Sequence, residues 1–455
     1  MTMTSINPAT AKEIKSYKKQ TMREVNLVLV EVQARYLLWS KESWAVKSKF
    51  MNNASEYLER HKEKYARLMT DEMGKPIRQA RTEIEKCALI CKYYAENAES
   101  FLADENVPTD ASKSYVSFQP LGAVLAVMPW NFPFWQVFRF LAPALMAGNV
   151  GVLKHASNVP GCALAIEEIV REAGFPENVF RALLIDSKDV KSVIEHPTIK
   201  AVTLTGSTPA GKAVAAAAGG MLKKTVLELG GSDPYIILED ADLQEAAEMC
   251  VKSRMINGGQ SCIAAKRFIV IDSVKAEFEK LFVEQMNKQR MGDPLKEDTD
   301  LGPQARFDLR DELHKQVQKS ISDGAKLLLG GTIPEKQGAF YPATVLTDVK
   351  KGMLAYEEEL FGPVASIISA KDEKDAIEKA NDSIFGLGAA VFSKDKKRAE
   401  RIAKEELQAG ACFANTFVRS DQRLPFGGIK ESGYGRELSS FGIREFVNIK
   451  AVYVA

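Results

Sequence analysis

The sequence predicts an α/β protein with two lobes built on parallel sheets and a small β element attached. Three observations lead there. At 455 residues the chain exceeds what one hydrophobic core usually supports. Short apolar runs recur at 123–127, 150–153, 201–204, 235–238 and 267–271, and helical stretches separate most of them, which is the rhythm of βαβ units. The chain then closes on a β-branched, alternating segment at 446–454.

Taken in order, residues 22–101 are rich in charged residues and helix formers, with apolar positions three and four apart. Two or three amphipathic helices fit, broken near Gly74-Lys75-Pro76. Residues 114–119 alternate and read as a strand that protrudes. Pro129-Trp130-Asn131-Phe132-Pro133 ends a buried strand and opens a helix running through Gln136 to Leu145. Residues 199–211 read as a strand, a Gly206-Ser207 turn and the start of a helix that continues to Ala218. Strands at 266–271, 326–329 and 365–369, covered by helices at 274–290, 306–323 and 394–406, supply the second lobe. The last strand has no obvious neighbour in the sequence, so pairing with another subunit is expected.

Composition narrows the function. Apolar residues make up 45% and charged residues 27%, with 61 Lys plus Arg against 60 Asp plus Glu. That balance leaves no electrostatic footprint for nucleic acid or an anionic membrane, and a small-molecule substrate is expected. The apolar run 121–130 is far shorter than the ~20 residues a spanning helix needs. The N-terminus has neither a basic leader nor an apolar signal core, so a reducing cytoplasmic home is expected. Six cysteines in so long a chain do not make a disulfide framework. Cys87 and Cys91 lie four apart without further ligands nearby, so no metal site is expected; they read as buried thiols, like Cys162, Cys250 and Cys412.

The chemistry concentrates in two glycine-flanked segments. Val226-Leu227-Glu228-Leu229-Gly230-Gly231-Ser232 carries a carboxylate, and 34 residues further on Asn257-Gly258-Gly259-Gln260-Ser261-Cys262 carries a thiol. Glycines let a substrate or cofactor approach closely. A thiol there is either a buried structural group or a nucleophile, and a carboxylate can activate the water that later releases a product. A cysteine protease would need an imidazole base, and His61, His155, His196 and His314 sit in no such signature. The turn before the helix at Gly206-Ser207 offers free N–H groups to a pyrophosphate, although any tight βα turn can use these residues. Asn131 is either a helix cap or a donor to an oxyanion. Lys154, at the end of the strand 150–153, either reaches solvent or meets a cofactor. Arg139 stands in an otherwise apolar helix, as a structural ion pair or as a receptor for a substrate carboxylate. It lies roughly 9 Å along that helix from Pro133, at ~1.5 Å per residue.

Pro129-Trp-Asn-Phe-Pro133, Gly206-Ser207, Leu227-Glu-Leu-Gly-Gly231, Gly259-Gln-Ser-Cys262, Glu359-Leu-Phe-Gly-Pro363 and Pro425-Phe-Gly-Gly-Ile-Lys430 together resemble the aldehyde dehydrogenase superfamily, in its order and over nearly the whole chain. More narrowly, Lys154-His-Ala-Ser-Asn158 and the segment 302–314 resemble the short bacterial succinate-semialdehyde dehydrogenases. The resemblance implies two Rossmann-like lobes: a cofactor-binding domain at 1–110 and 123–228, a catalytic domain at 229–430, and an oligomerisation element at 111–122 and 431–455 that makes a homodimer or homotetramer.

Residue by residue, the resemblance implies that Cys262 is the nucleophile, that Asn131 and the Cys262 N–H hold the oxyanion, and that Glu228 activates the hydrolytic water. Lys154 and Ser157 would contact the adenosine ribose, Gly206 and Ser207 the pyrophosphate, and Glu359 the nicotinamide ribose. Phe361, Trp130 and Leu229 would line the cofactor channel. Ser157 stands where many NAD-preferring relatives carry Glu, which ranks NADP ahead of NAD. Ile256 replaces a further substrate-binding arginine of longer relatives, leaving Arg139, helped by Ser420, to hold a carboxylate. Ala264 replaces a second cysteine that some relatives use as a redox switch. The expected reaction is oxidation of succinate semialdehyde. Glutarate semialdehyde, aliphatic aldehydes, a non-catalytic role and acyl transfer to coenzyme A are the alternatives.

Overall fold

The computed structural model describes residues 2–455. Its first sheet has six strands in the order Gly433–Tyr434, Lys224–Glu228, Ile199–Thr205, Ala123–Met128, Val150–His155 and Phe180–Ala182. All neighbours run parallel except Gly433–Tyr434, which lies antiparallel on Lys224–Glu228. Every residue of Val150–His155 is buried, as a central parallel strand covered on both faces requires. Helices Trp44–Arg60, Ile77–Phe101 and Trp135–Met146 share one hydrophobic core with this sheet.

The second sheet has seven strands, ordered Lys326–Leu329, Thr344–Thr347, Val364–Ala370, Arg267–Ile271, Pro234–Ile237, Gly388–Phe392 and Ala411–Ala414. Alternation along its strands feeds two cores. Ile236 and Ile269 point into one, while Tyr235, Ile237, Phe268 and Val270 point into the other. Lys326–Leu329 is an antiparallel edge rather than part of the parallel set, pairing with Thr344–Thr347.

Every strand read from an apolar run is present, and the break at Gly74 is a left-handed helix end with φ of 80°. Strands with little apolar contrast, such as the N-terminal hairpin Thr2–Ile6 with Glu13–Lys18, went unread. The C-terminal segment requires a correction. Val447–Val454 does have a neighbour within the chain, pairing antiparallel with Lys113–Pro120 along its whole length. That partner is distant in sequence, which is why no local signal marked it. The other edge of Val447–Val454 is open, with Ile449 and Tyr453 exposed.

Asn131 does not cap the helix that follows, because that helix begins at Trp135. Its first turn is closed from another element. Glu83 accepts from the Phe134 and Trp135 N–H groups at 2.9 Å each and pairs with the buried Lys75 ammonium, which lies over the Phe132 ring. Glu83 thus fixes the backbone just past Asn131. Glu83→Ala would leave Lys75 buried without a counter-charge, so a loss of about 3–5 kcal/mol is expected. A fall of several degrees in the thermal midpoint checks this, and an unchanged midpoint contradicts it.

Candidate active site

The site lies between the two sheets, outside the carboxyl ends of the first sheet's strands, where ligands of such folds bind. Ala123–Met128 delivers Trp130 and Asn131, Ile199–Thr205 delivers Gly206 and Ser207, and Lys224–Glu228 ends on its carboxylate. Cys262 arrives from the opposite side, on the loop that leads into Arg267–Ile271 of the second sheet. Three consecutive left-handed residues turn that loop: Asn257, Gly258 and Gly259, at φ of 52°, 60° and 76°. At Gly259 a side chain is impossible, since a Cβ would stand 2.0 Å from the Gly362 carbonyl oxygen.

A cavity of about 380 Å³ is lined by Cys262, Asn131, Trp130, Gly206, Ser207, Leu229, Glu359 and Phe361. The structure therefore brings together eight residues that sequence reasoning selected. Buried Asn131 donates through Nδ2 to the Gln260 carbonyl at 3.1 Å, while its own carbonyl accepts from Asn257 at 2.7 Å. This pair ties Asn131 to the cysteine loop and leaves the second amide hydrogen uncommitted. The Cys262 backbone N–H also has no acceptor among the described residues. Two unpaired donors on one cavity wall suit a developing oxyanion.

Lys154 and Ser157 lie off this wall. Lys154 is buried and donates to the Ser187 hydroxyl at 3.3 Å, while Ser157 lines a separate cleft with Lys19 and Arg306. Ser207 stands at the N-terminus of Thr208–Gly220, where its carbonyl accepts from Gly211 but its hydroxyl makes no cap bond, so the Thr208 and Ala210 N–H groups remain free beside the cavity. Trp130 and Phe361 meet edge to face at 5.8 Å. Free helix N–H groups, an aromatic wall and a carboxylate fit a dinucleotide's pyrophosphate, ring and ribose.

Sequence reasoning missed Lys266. Almost wholly buried, it donates to the Ser261 and Cys262 carbonyls at 2.9 and 2.7 Å and pairs with Glu359 at 3.1 Å. Burial pushes the Cys262 thiol up to about 12. The Lys266 and Arg139 charges oppose that shift, and the Glu359 and Glu228 carboxylates add to it. A lysine directly before a strand of apolar residues looks like an edge charge, so only the fold reveals its role.

Glu228 is buried, and neither carboxylate oxygen has a hydrogen-bond partner. Burial, then the nearby Glu437 charge, raises its pKa well above the carboxylate range, against the opposing charges of Arg139 and Arg436. The carboxylate sits behind the cavity wall, packed so tightly on Gly427 that a Cβ there would lie 2.8 Å from it. Arg139 is likewise off the cavity wall. It forms a buried ion pair with Glu437, reaches the Thr205 hydroxyl at 3.4 Å and lies over the Phe426 ring. A carboxylate partner thus already occupies the fork that the sequence reading offered to a substrate. Ser420 bonds to Lys86 at 2.6 Å. The cysteines are all free, and no group of His, Cys, Asp and Glu among the described residues is arranged to hold a metal ion.

Because Cys262 is held protonated, its alkylation by iodoacetamide in the ligand-free protein is expected to climb about tenfold per pH unit from pH 7 to 10. A rate that levels off below pH 9 would contradict the raised thiol.

The profile of the aldehyde dehydrogenase family matches residues 1–452. A probable succinate-semialdehyde dehydrogenase [NADP(+)] of Synechocystis sp. is 50% identical over 455 residues, covering all of both chains. A succinate-semialdehyde dehydrogenase [NADP(+)] of Mycobacterium tuberculosis is 47% identical over 460 residues, again covering both completely. The crystal structure of succinic semialdehyde dehydrogenase from Streptococcus pyogenes in complex with NADP+ superposes with a TM-score of 0.97 at 38% identity, over 99% of each chain. The chain belongs to the aldehyde dehydrogenase family.

Proposed function

We propose that this protein oxidises succinate semialdehyde to succinate with NADP. The observation that carries the chemistry is Cys262 and Asn131 on one cavity wall, with the free helix N–H groups at Ser207 on the same cavity. The names of the full-length relatives support the substrate and cofactor. In this reading the Cys262 thiol releases its proton to solvent as its sulfur adds to the aldehyde carbon, and the Asn131 amide and Cys262 N–H hold the charge that gathers on oxygen. The dinucleotide supplies an acceptor for the hydride leaving that carbon. Cys262 then carries a thioester. Glu228 takes a proton from the attacking water, after its side chain turns from Gly427 towards the sulfur, and the acid departs.

Gly206 and Ser207 hold the pyrophosphate, Glu359 the nicotinamide ribose, and Trp130, Leu229 and Phe361 the channel between them. Lys154 and Ser157 receive the adenosine ribose, where a cation and a hydroxyl suit a 2′-phosphate. The first sheet with its helices serves the cofactor and the second presents the thiol. The open edge of Val447–Val454 joins copies into a dimer or tetramer, and free cysteines fit a cytoplasmic home. Light scattering that returned a monomer would remove the assembly.

Three outcomes are expected. Cys262→Ser abolishes turnover; a near-native rate would overturn the nucleophile. Glu228→Gln keeps the first-turnover burst of reduced cofactor and slows the steady state, whereas equal slowing of both would count against the deacylation role. Steady-state kinetics give a higher kcat/KM with NADP than with NAD, and Ser157→Glu lowers the NADP value about tenfold by repelling the 2′-phosphate. A wild-type preference for NAD would reverse the cofactor ranking.

A further inference from the structure

We propose that Lys86 recognises the far end of the substrate, its ammonium forming the direct ion pair with the ω-carboxylate. The inference rests on the ω-carboxy aldehyde reading above and adds the residue that selects it. A second cavity, of about 660 Å³, adjoins the first across one peptide: Asn131 lines the smaller and Phe132 the larger. Its walls near that step are apolar, from Phe132, Trp135, Met255 and Phe417, and suit a short carbon chain.

Lys86 enters this wall from helix Ile77–Phe101. Its Nζ lies 4.0 Å from the Trp135 ring centroid and 2.6 Å from the Ser420 hydroxyl. Those contacts fix the ammonium in place but neutralise none of its charge, and they leave two of its three donors free. The acids that act on it are committed elsewhere: Glu83 to Lys75 and the helix N-terminus, Asp421 to Arg423 at 2.7 Å. Burial, then the Arg139 charge, pulls the ammonium down to about 8, against Cys87, Glu83 and Asp421. The cluster is therefore short of one anion, which an incoming carboxylate provides. Arg139 acts on both Lys86 and Cys262, so both lie within reach of its charge. The other cations on this cavity, Arg78 and Lys252, are exposed, and Arg78 is already paired with Asp300.

The test compares succinate semialdehyde with butanal, which has the same chain length without the charge, in wild type, Lys86→Met and Lys86→Arg at saturating NADP. Lys86→Met is expected to raise KM for succinate semialdehyde about tenfold more than KM for butanal, with kcat changed far less. Lys86→Arg is expected to restore most of the difference. Should the Met variant fail to fold, Lys86→Gln, which keeps a bond to Ser420, gives the same readout. Equal shifts for the two aldehydes, or none, would overturn the role of Lys86 while a wild-type preference for the acid left the function standing. A wild type indifferent to the carboxylate would overturn both.

Discussion

The Lys266 ammonium ties the nucleophile's loop to the cofactor wall. Placed one residue before the strand Arg267–Ile271, it holds the Ser261 and Cys262 carbonyls and pairs with Glu359. One buried charge thereby fixes the nucleophile's loop and the carboxylate on the cofactor wall, and lends the sulfur a positive field. Burying an ammonium costs several kcal/mol unless its donors are all met, and here two carbonyls and a carboxylate meet them. The glycines on either side are consequences of the same geometry. A loop drawn this close leaves no room for a Cβ at Gly259 against Gly362, and one at Gly230 would stand 2.6 Å from Glu359.

A second buried cluster governs the water-activating step. Glu228 and Glu437 share one region, and Arg139 compensates only one of them directly. Burial and the Glu437 charge therefore push the uncompensated carboxyl towards its protonated form. A base that is inactive while buried and active once turned towards the sulfur is separated in time from the first chemical step. The same arrangement explains why Arg139 tolerates an apolar helix: its partner comes from the C-terminal segment rather than from substrate.

Much of this was legible in the chain. Apolar runs marked the parallel strands because a strand covered on both faces has no reason to alternate. The glycine-flanked motifs marked Cys262, Glu228, Gly206 and Ser207 because close approach demands glycine locally. What escaped depends on long-range closure. Lys86 and Ser420 meet across 334 residues, and Val447–Val454 finds Lys113–Pro120 only when the chain has folded. Arg139 was recognised as needing a partner, but nothing near it in sequence could name Glu437. A lone lysine carries no local sign of what it touches, so neither Lys266 nor Lys86 was singled out.

The three inner cations differ in how they are balanced, and that difference gives the site a direction. Lys266 has Glu359, Arg139 has Glu437, and Lys86 has only a hydroxyl and a ring. In the proposed reaction a monoanionic aldehyde would settle its charge where balance is lacking and place its neutral end by the thiol. Oxidation then creates a second carboxylate beside Cys262, where the Glu359 carboxylate already presses on the thiol and burial disfavours charge. The Asn131 amide and the Cys262 N–H can donate to it there, but the nearby Lys266 ammonium is already paired with Glu359. The arrangement binds the substrate's existing charge and opposes the one that the chemistry makes, so the product is expelled by the same electrostatics that admit its precursor.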